Sequence, residues 1–159
     1  MVYELRVQGV DEAARNIANA GAFAVAAQLE LAHDFGARMQ AAVRGRATGR
    51  PGPNVITGQY LASILYLVQA TAGGYEAVVY SDAPQSMRLE LGFYGTDSLG
   101  RTYNNAPLPH FGPAYQEQYP YYVAAQAALA AQVAAVGNGG AGGGGGRRGR
   151  LGGLFGRLR

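Results

Sequence analysis

Few side chains in this sequence are of the types that carry acid–base, nucleophilic or metal chemistry. The two histidines are His33, in an alanine-rich stretch, and His110, in a proline-rich one, and neither has a second histidine at metal-ligand spacing. Ser63 and Ser98 lack the strand–turn–helix context of a nucleophilic serine. The 159 residues include no cysteine, which excludes a thiolate nucleophile, a disulfide scaffold and a thiolate metal site. We therefore expect that the protein has no catalytic residues, metal or cofactor and is not an enzyme.

Two further patterns that resemble functional motifs have structural explanations. Asp11 and Glu12 lie at the predicted start of a helix, where negative charge interacts favourably with the helix dipole. Gly137, Gly139 and Gly142 match the spacing GxGxxG, but the phosphate-binding version follows a strand and opens a helix. This one follows a predicted helix and opens a glycine run, so we expect no nucleotide site.

The elements that would position any site begin with a strand and a long helix. Alternating apolar and polar residues over 2–8 predict a short strand. Residues 11–44 are alanine-rich and predict a helix capped by Asp11, with possible bends at Gly21 and Gly36. Its apolar face recurs every four residues, at Leu31, Phe35, Met39 and Val43.

The middle of the chain predicts a short helix and a hairpin. A glycine- and proline-rich loop ends at Thr57, a plausible N-cap for a helix through Ser63. Two runs rich in β-forming residues, 63–70 and 75–81, are separated by Thr-Ala-Gly-Gly and predict an antiparallel pair. A helical turn is then predicted over 85–91.

The last third predicts a long loop, from Gly92 to Phe111, and a terminal helix. Pro113 opens a first helical segment, and a second stretch is predicted over 121–136. Pro120 predicts a kink near Tyr119 between them, because proline lacks an N–H group. The apolar face of the helix consists of Tyr122, Leu129, Val133 and Val136.

The predicted fold class is therefore α+β. A long N-terminal helix and a C-terminal helix are expected to pack on a small antiparallel sheet, followed by an arm rich in glycine and arginine. The expected division is a domain over 1–136 and an arm over 137–159. No run approaches the roughly 20 apolar residues of a membrane span, so we expect a soluble product without a membrane partner.

Charge is concentrated in the arm. All thirteen basic residues are arginine, and eight of them with ten acids leave residues 1–136 at −2. The arm carries the other five and no acid: Arg147, Arg148, Arg150, Arg157 and Arg159. Between them lie apolar residues at i, i+3, i+4 and i+7, which would form one helical stripe: Leu151, Leu154, Phe155 and Leu158.

This pattern predicts a docking arm. Three glycines within the stripe cost about 3 kcal/mol of helix stability, so order would have to come from a partner's groove. Non-specific DNA contact, a membrane surface and an arm without any partner are the alternatives.

Aromatic residues in the long loop are candidates for a subunit interface. They are Phe93, Tyr94, Tyr103 and Phe111, and aromatic residues on loops often anchor interfaces. The alternative is that they cover the hairpin as part of the core. Glu90 is predicted to accept hydrogen bonds from this loop, or to contact another subunit. Gly92 is predicted to adopt a backbone conformation that other residues avoid.

Three blocks resemble the tail-component family of long-tailed phages, the "gene product ten-like" proteins. The first runs from Thr57 to Ile64, with Tyr60 where leucine is usual. The second is Leu-Glu-Leu-Gly-Phe at 89–93, and the third is Pro-His-Phe-Gly-Pro-Ala at 109–114. The likeness covers residues 11–136.

The resemblance implies a virion protein of the neck, assembled in the host cytoplasm. It would form a homo-oligomeric ring, with a hexamer the expected size, that completes the tail or joins head to tail. Its partners would be the connector or stopper, the tail terminator or tube, the tape measure, and phage DNA. The alternative is a nucleic-acid-binding module that uses the basic arm, although a body at −2 and the lack of a reader motif count against it.

Overall fold

Two long helices and two small antiparallel hairpins make up the fold, which confirms the predicted α+β class. The structure is a computed structural model that describes residues 10–56 and 58–139. The predicted strand over 2–8, Thr57 and residues 140–159 lie outside the described residues. The elements in chain order are α1 (Val10–Arg46), α2 (Gln59–Ser63), β1 (Ile64–Thr71), β2 (Gly74–Ser81), α3 (Ser86–Leu91), β3 (Phe93–Thr96), β4 (Thr102–Asn105) and α4 (Phe111–Gly137).

Helix α1 is continuous and contacts both α4 and the hairpin β1–β2. Its predicted apolar face is confirmed, because Leu31, Met39 and Val43 are buried and Phe35 packs beside them. Gly36 does not interrupt the helix. A Cβ atom there would collide with the ring of Tyr66, so this glycine allows β1 to lie close to α1.

Helix α4 runs antiparallel to α1. Ala114, near its start, packs with Val43, whereas Leu129 packs with Leu31 and Gly137 lies beside Ala20. The helix continues through Pro120, so the predicted separation into two helical stretches is not observed, and the kink near Tyr119 stays a prediction. Packing of the later turns on α1 outweighs the single backbone hydrogen bond that proline removes.

The first hairpin confirms the prediction closely. Strands β1 and β2 pair from Ile64↔Ser81 to Thr71↔Gly74, which leaves a two-residue turn. Side chains alternate between the two faces of the pair. Ile64, Tyr66 and Val79 face α1, and Ile64 is fully buried.

The predicted loop from Gly92 to Phe111 instead contains a second hairpin. Strands β3 and β4 pair from Phe93↔Asn105 to Thr96↔Thr102. Asp97 closes the connection by accepting hydrogen bonds from the backbone N–H groups of Leu99 and Arg101, each at 2.9 Å. The segment contains several glycine, asparagine and proline residues, which have low strand propensity, so propensity alone predicts a loop here.

The short helix α2 begins differently from the prediction. Its N-cap position is Gly58, in a left-handed conformation with φ 75°. The sequence predicts Thr57 as the N-cap, whereas the structure has Gly58 in the N-cap position. Thr57 itself lies outside the described residues. A left-handed turn before the helix favours glycine over a residue with a side chain.

Gly92 has both a positive φ and close backbone neighbours, so the structure requires glycine at this position. Its φ is +77°, and an added Cβ would lie 2.7 Å from the carbonyl oxygen of Asn105 and 2.9 Å from the nitrogen of Pro107. We expect Gly92→Ala to lower the free energy of unfolding by about 2 kcal/mol, because left-handed backbone strain and collision add. Urea unfolding measures this. Gly21→Ala is the matched control, since a Cβ there meets nothing within 4 Å, and equal midpoints for the two variants would contradict the expectation.

Candidate functional site

A carboxylate on α3 caps the first turn of α4. The Oε2 atom of Glu90 accepts hydrogen bonds from the backbone N–H groups of His110 at 2.8 Å and Phe111 at 3.0 Å, and Oε1 accepts from Gly112 at 2.9 Å. This confirms the prediction that Glu90 accepts hydrogen bonds from the end of the following segment. Burial alone would raise the pKa of Glu90, but the three backbone donors hold it below its ordinary value.

His110 is fully buried beside this carboxylate. Its Nδ1 atom faces two acceptors, the carbonyl oxygen of Leu108 at 2.9 Å and Oε2 of Glu90 at 3.0 Å. In the neutral imidazole these two acceptors favour the tautomer with the proton on Nδ1, in which Nε2 accepts a hydrogen bond from the hydroxyl of Tyr60. Burial raises the pKa of Tyr60, so its hydroxyl remains a donor at neutral pH.

The three side chains form hydrogen bonds that link α2, α3 and the start of α4. A histidine between a carboxylate and a hydroxyl is also the arrangement of a nucleophile with its base. Here, however, the imidazole of His110 has no accessible surface, so a solute meets it only after local opening. Sequence reasoning missed the Tyr60–His110 contact because the residues are fifty positions apart. The available signal was that each of the three resemblance blocks contributes one member.

Other predicted chemical residues lie apart from this network. His33 is exposed on α1, with its ring edge-on to Tyr66 at 6.3 Å. Ser63 donates to the carbonyl oxygen of Tyr60 and contacts the hydroxyl of Ser81. Within the part of the chain that the structure describes, no group of three His, Cys, Asp or Glu side chains is placed to hold a metal ion.

The structure separates the predicted interface aromatics into three environments. Phe111 packs against the core that surrounds Ile64. Phe93 lies against Tyr103, with ring centroids 5.6 Å apart, and under the guanidinium of Arg88. Of these aromatic residues Tyr94 is the exposed one, at 65%. The interpretation as core therefore holds for Phe111, while Tyr94 presents a free aromatic surface.

Tyr103 and Asp97 stabilise the second hairpin. The Tyr103 hydroxyl donates to Oδ2 of Asp97 at 3.1 Å, and Nε of Arg101 donates to the same oxygen at 2.7 Å. The backbone and side-chain hydrogen bonds from Arg101 hold the pKa of Asp97 below its ordinary value. Burial, together with the bond to Asp97, raises the pKa of Tyr103. These contacts position Tyr94 on the adjacent strand.

Apolar side chains also cover the face of hairpin β1–β2 that points away from α1. Register pairs Leu65 with Tyr80 and Leu67 with Val78, and all four side chains are partly exposed. We call these four residues the outer hairpin face. A second set of exposed apolar residues lies on α3 and the β3–β4 hairpin, and we call it the α3 surface: Met87, Leu91, Tyr94 and Leu99. Contiguous exposed apolar patches are typical of interaction sites, and the cross-strand pairs of the outer hairpin face form one.

An apolar groove lies beside the C-terminal end of α1. Its volume is about 440 Å³. We call it the α2 groove, and its main lining residues are Val55, Ile56, Tyr60, Leu61, Leu89 and Leu108. The side chain of Ile56 is 92% exposed at its rim. Sequence analysis did not predict this groove, because its walls come from segments far apart in the chain.

The arm residues predicted to dock, from Arg147 to Arg159, lie outside the described residues. Among the helices in residues 10–56 and 58–139, none combines the length and the apolar character needed to cross a bilayer. Compared with protein-family models, curated proteins and solved structures, the chain matches none of them.

Proposed function

We propose that this protein is a structural virion protein of a phage neck, in which copies of the chain form a ring between the head connector and the tail tube. The outer hairpin face is the observation that carries the proposal. One side of a two-stranded sheet is covered by α1, and the other side presents two apolar cross-strand pairs to solvent. A two-stranded hairpin is marginally stable alone, and an apolar outer face favours a partner.

A ring requires two different contact surfaces on each subunit. Closed rings form through heterologous contacts, in which one face of a subunit meets another face of its neighbour. The outer hairpin face and the α3 surface belong to different elements and are both apolar. We infer that the hairpin of one subunit packs on Tyr94 and its neighbours in the next.

The network beneath the α3 surface supports this role. Tyr60, Glu90 and His110 come from the three separate blocks that resemble phage tail components, and they meet around the buried imidazole of His110. The network fixes α3 relative to the start of α4 and so gives the α3 surface a rigid base. Rigid, preformed surfaces lose less entropy on association. No chemical step is part of the proposed function.

Mass photometry and electron microscopy of the purified chain test the proposal. We expect a closed ring of one size, and six copies of 16.6 kDa would weigh about 100 kDa. Added to tailless and headless particles, the protein should appear at the neck. A monomer at all concentrations that no particle incorporates would contradict the proposal.

Nucleic-acid binding through the arm is the second candidate function. The five arginines of the arm, with no acid among them, favour it. Binding of double-stranded DNA would then weaken with salt, with a slope of log K against log salt of roughly −4.5 if all five contact phosphate. DNA affinity of a monomeric chain with such a slope would favour this function over the ring.

A further inference from the structure

We propose that the C-terminal arm of one subunit docks in the α2 groove of a second copy of this chain. The inference rests on the proposed ring, and it names which surface receives the arm. Val55, Ile56, Leu61, Leu89 and Leu108 give the groove apolar walls. These walls match the apolar chemistry of the stripe predicted for Leu151, Leu154, Phe155 and Leu158.

The polar edge of the groove also suits the arm. Asn54 and Gln85 lie among its lining residues. Their amide oxygens are acceptors for guanidinium groups, and arginines flank the apolar stripe on both sides. The neutral, apolar lining predicts docking that depends on buried surface more than on charge, so moderate salt should leave it in place.

The length of the segment that precedes the stripe disfavours docking of an arm in the α2 groove of its own subunit. Gly137 and Gly139 lie beside Ala20 and Asn16 near the start of α1, whereas the groove begins at Ala47, past its other end. At 1.5 Å per helical residue, Asn16 and Ala47 are roughly 45 Å apart.

A flexible chain as long as the segment from Gly139 to Leu151 would have a root-mean-square reach of about 20 Å, and it would span roughly 40 Å when fully extended. An arm would therefore have to be stretched straight along its own subunit. In a ring, the groove of the next subunit can lie within the relaxed reach of the arm, and the occupant is then a second copy.

Disulfide cross-linking in the full chain tests this docking, because the chain has no cysteine of its own. We choose the double variant Ile56→Cys with Gly156→Cys. Ile56 is 92% exposed, so a cysteine there removes little of the buried apolar wall, and Gly156 follows Phe155 without belonging to the predicted stripe. The matched control keeps Gly156→Cys and replaces Ile56→Cys by Val123→Cys, an exposed position on α4.

Under mild oxidation we expect covalent dimers and longer multimers on a non-reducing gel. They should form about tenfold or more faster than in the control, because docking raises the local thiol concentration to the millimolar range. A cross-link within single chains would overturn the inference in favour of docking in the same subunit. Rates equal to the control would overturn it in favour of another occupant of the groove.

Mass photometry of the unmodified chain separates the two proposals. If rings form but no multimers are cross-linked, the docking inference is wrong while the ring stands. If the chain is monomeric and no multimers are cross-linked, both are wrong.

Discussion

Val78→Asp is expected to leave the subunit folded and to prevent ring assembly. Val78 lies at the centre of the outer hairpin face, and its side chain is 36% exposed in the isolated chain. Packed against a neighbour, the new carboxylate would be buried without a partner. Such a group costs about 3 kcal/mol or more, which weakens each subunit contact by at least about a hundredfold. Sedimentation velocity or mass photometry across a concentration series measures this loss.

Val25→Asp is the matched control for this prediction. It makes the same substitution at an exposed valine on α1, away from the outer hairpin face. Both variants should retain the circular dichroism of the parent chain, and only Val78→Asp should remain monomeric. Rings formed by Val78→Asp at the parent concentration, or equal loss in the two variants, would show that the hairpin is not the subunit contact.

Glu90→Gln is expected to lower the free energy of unfolding by about 2 kcal/mol at neutral pH. The carboxylate accepts three backbone hydrogen bonds at the start of α4 and lies against the imidazole of His110. Hydrogen bonds to a charged group contribute about 1.5–3 kcal/mol, and a negative charge at a helix N-terminus adds to them. Glutamine keeps the shape but has one acceptor oxygen and no charge. Urea unfolding followed by circular dichroism gives the difference.

The destabilisation by Glu90→Gln should also depend on pH. The pKa of Glu90 is lower in the folded chain than its ordinary value of 4.5. The charged group therefore stabilises the fold fully above that ordinary value, and the contribution is lost as the pH falls through the folded pKa. The stability difference between the parent and the variant should thus be constant near neutrality and shrink in acid.

Glu117→Gln provides the comparison for Glu90. Glu117 pairs with Arg46 at 2.7 Å, but its side chain is 53% exposed. An exposed ion pair contributes about 0–1 kcal/mol, so this variant should unfold close to the parent chain. Equal unfolding midpoints for Glu90→Gln and the parent would contradict the capping role of Glu90.

Local sequence patterns were sufficient to predict the elements that show a regular spacing of apolar residues. The four-residue repeat from Leu31 to Val43 predicted the buried face of α1, and the β-rich runs around Gly73 predicted the first hairpin. These patterns suffice because amphipathic period and turn composition are properties of neighbouring residues. The prediction for Glu90 also held, since a carboxylate just before a loop can accept from its backbone.

Predictions failed where tertiary contacts outweighed propensity. The second hairpin depends on Asp97, whose side chain satisfies backbone N–H groups that the composition alone leaves unassigned. Helix α4 passes through Pro120 because its later turns pack on α1. In both cases the stabilising contacts form only when the chain folds, so the local composition does not indicate them.

The sequence by itself determined the α+β class, the long apolar helix face, the first hairpin and the concentration of arginine in the arm. Only the tertiary structure decided that Tyr60, Glu90 and His110 meet, that Phe111 is packed in the core while Tyr94 is exposed, and that an apolar groove lies past the end of α1. The physical reason is the separation along the chain of the residues that interact. Periodicity acts between residues a few positions apart, whereas a buried network and a groove require contacts between segments that the chain brings together only when it folds.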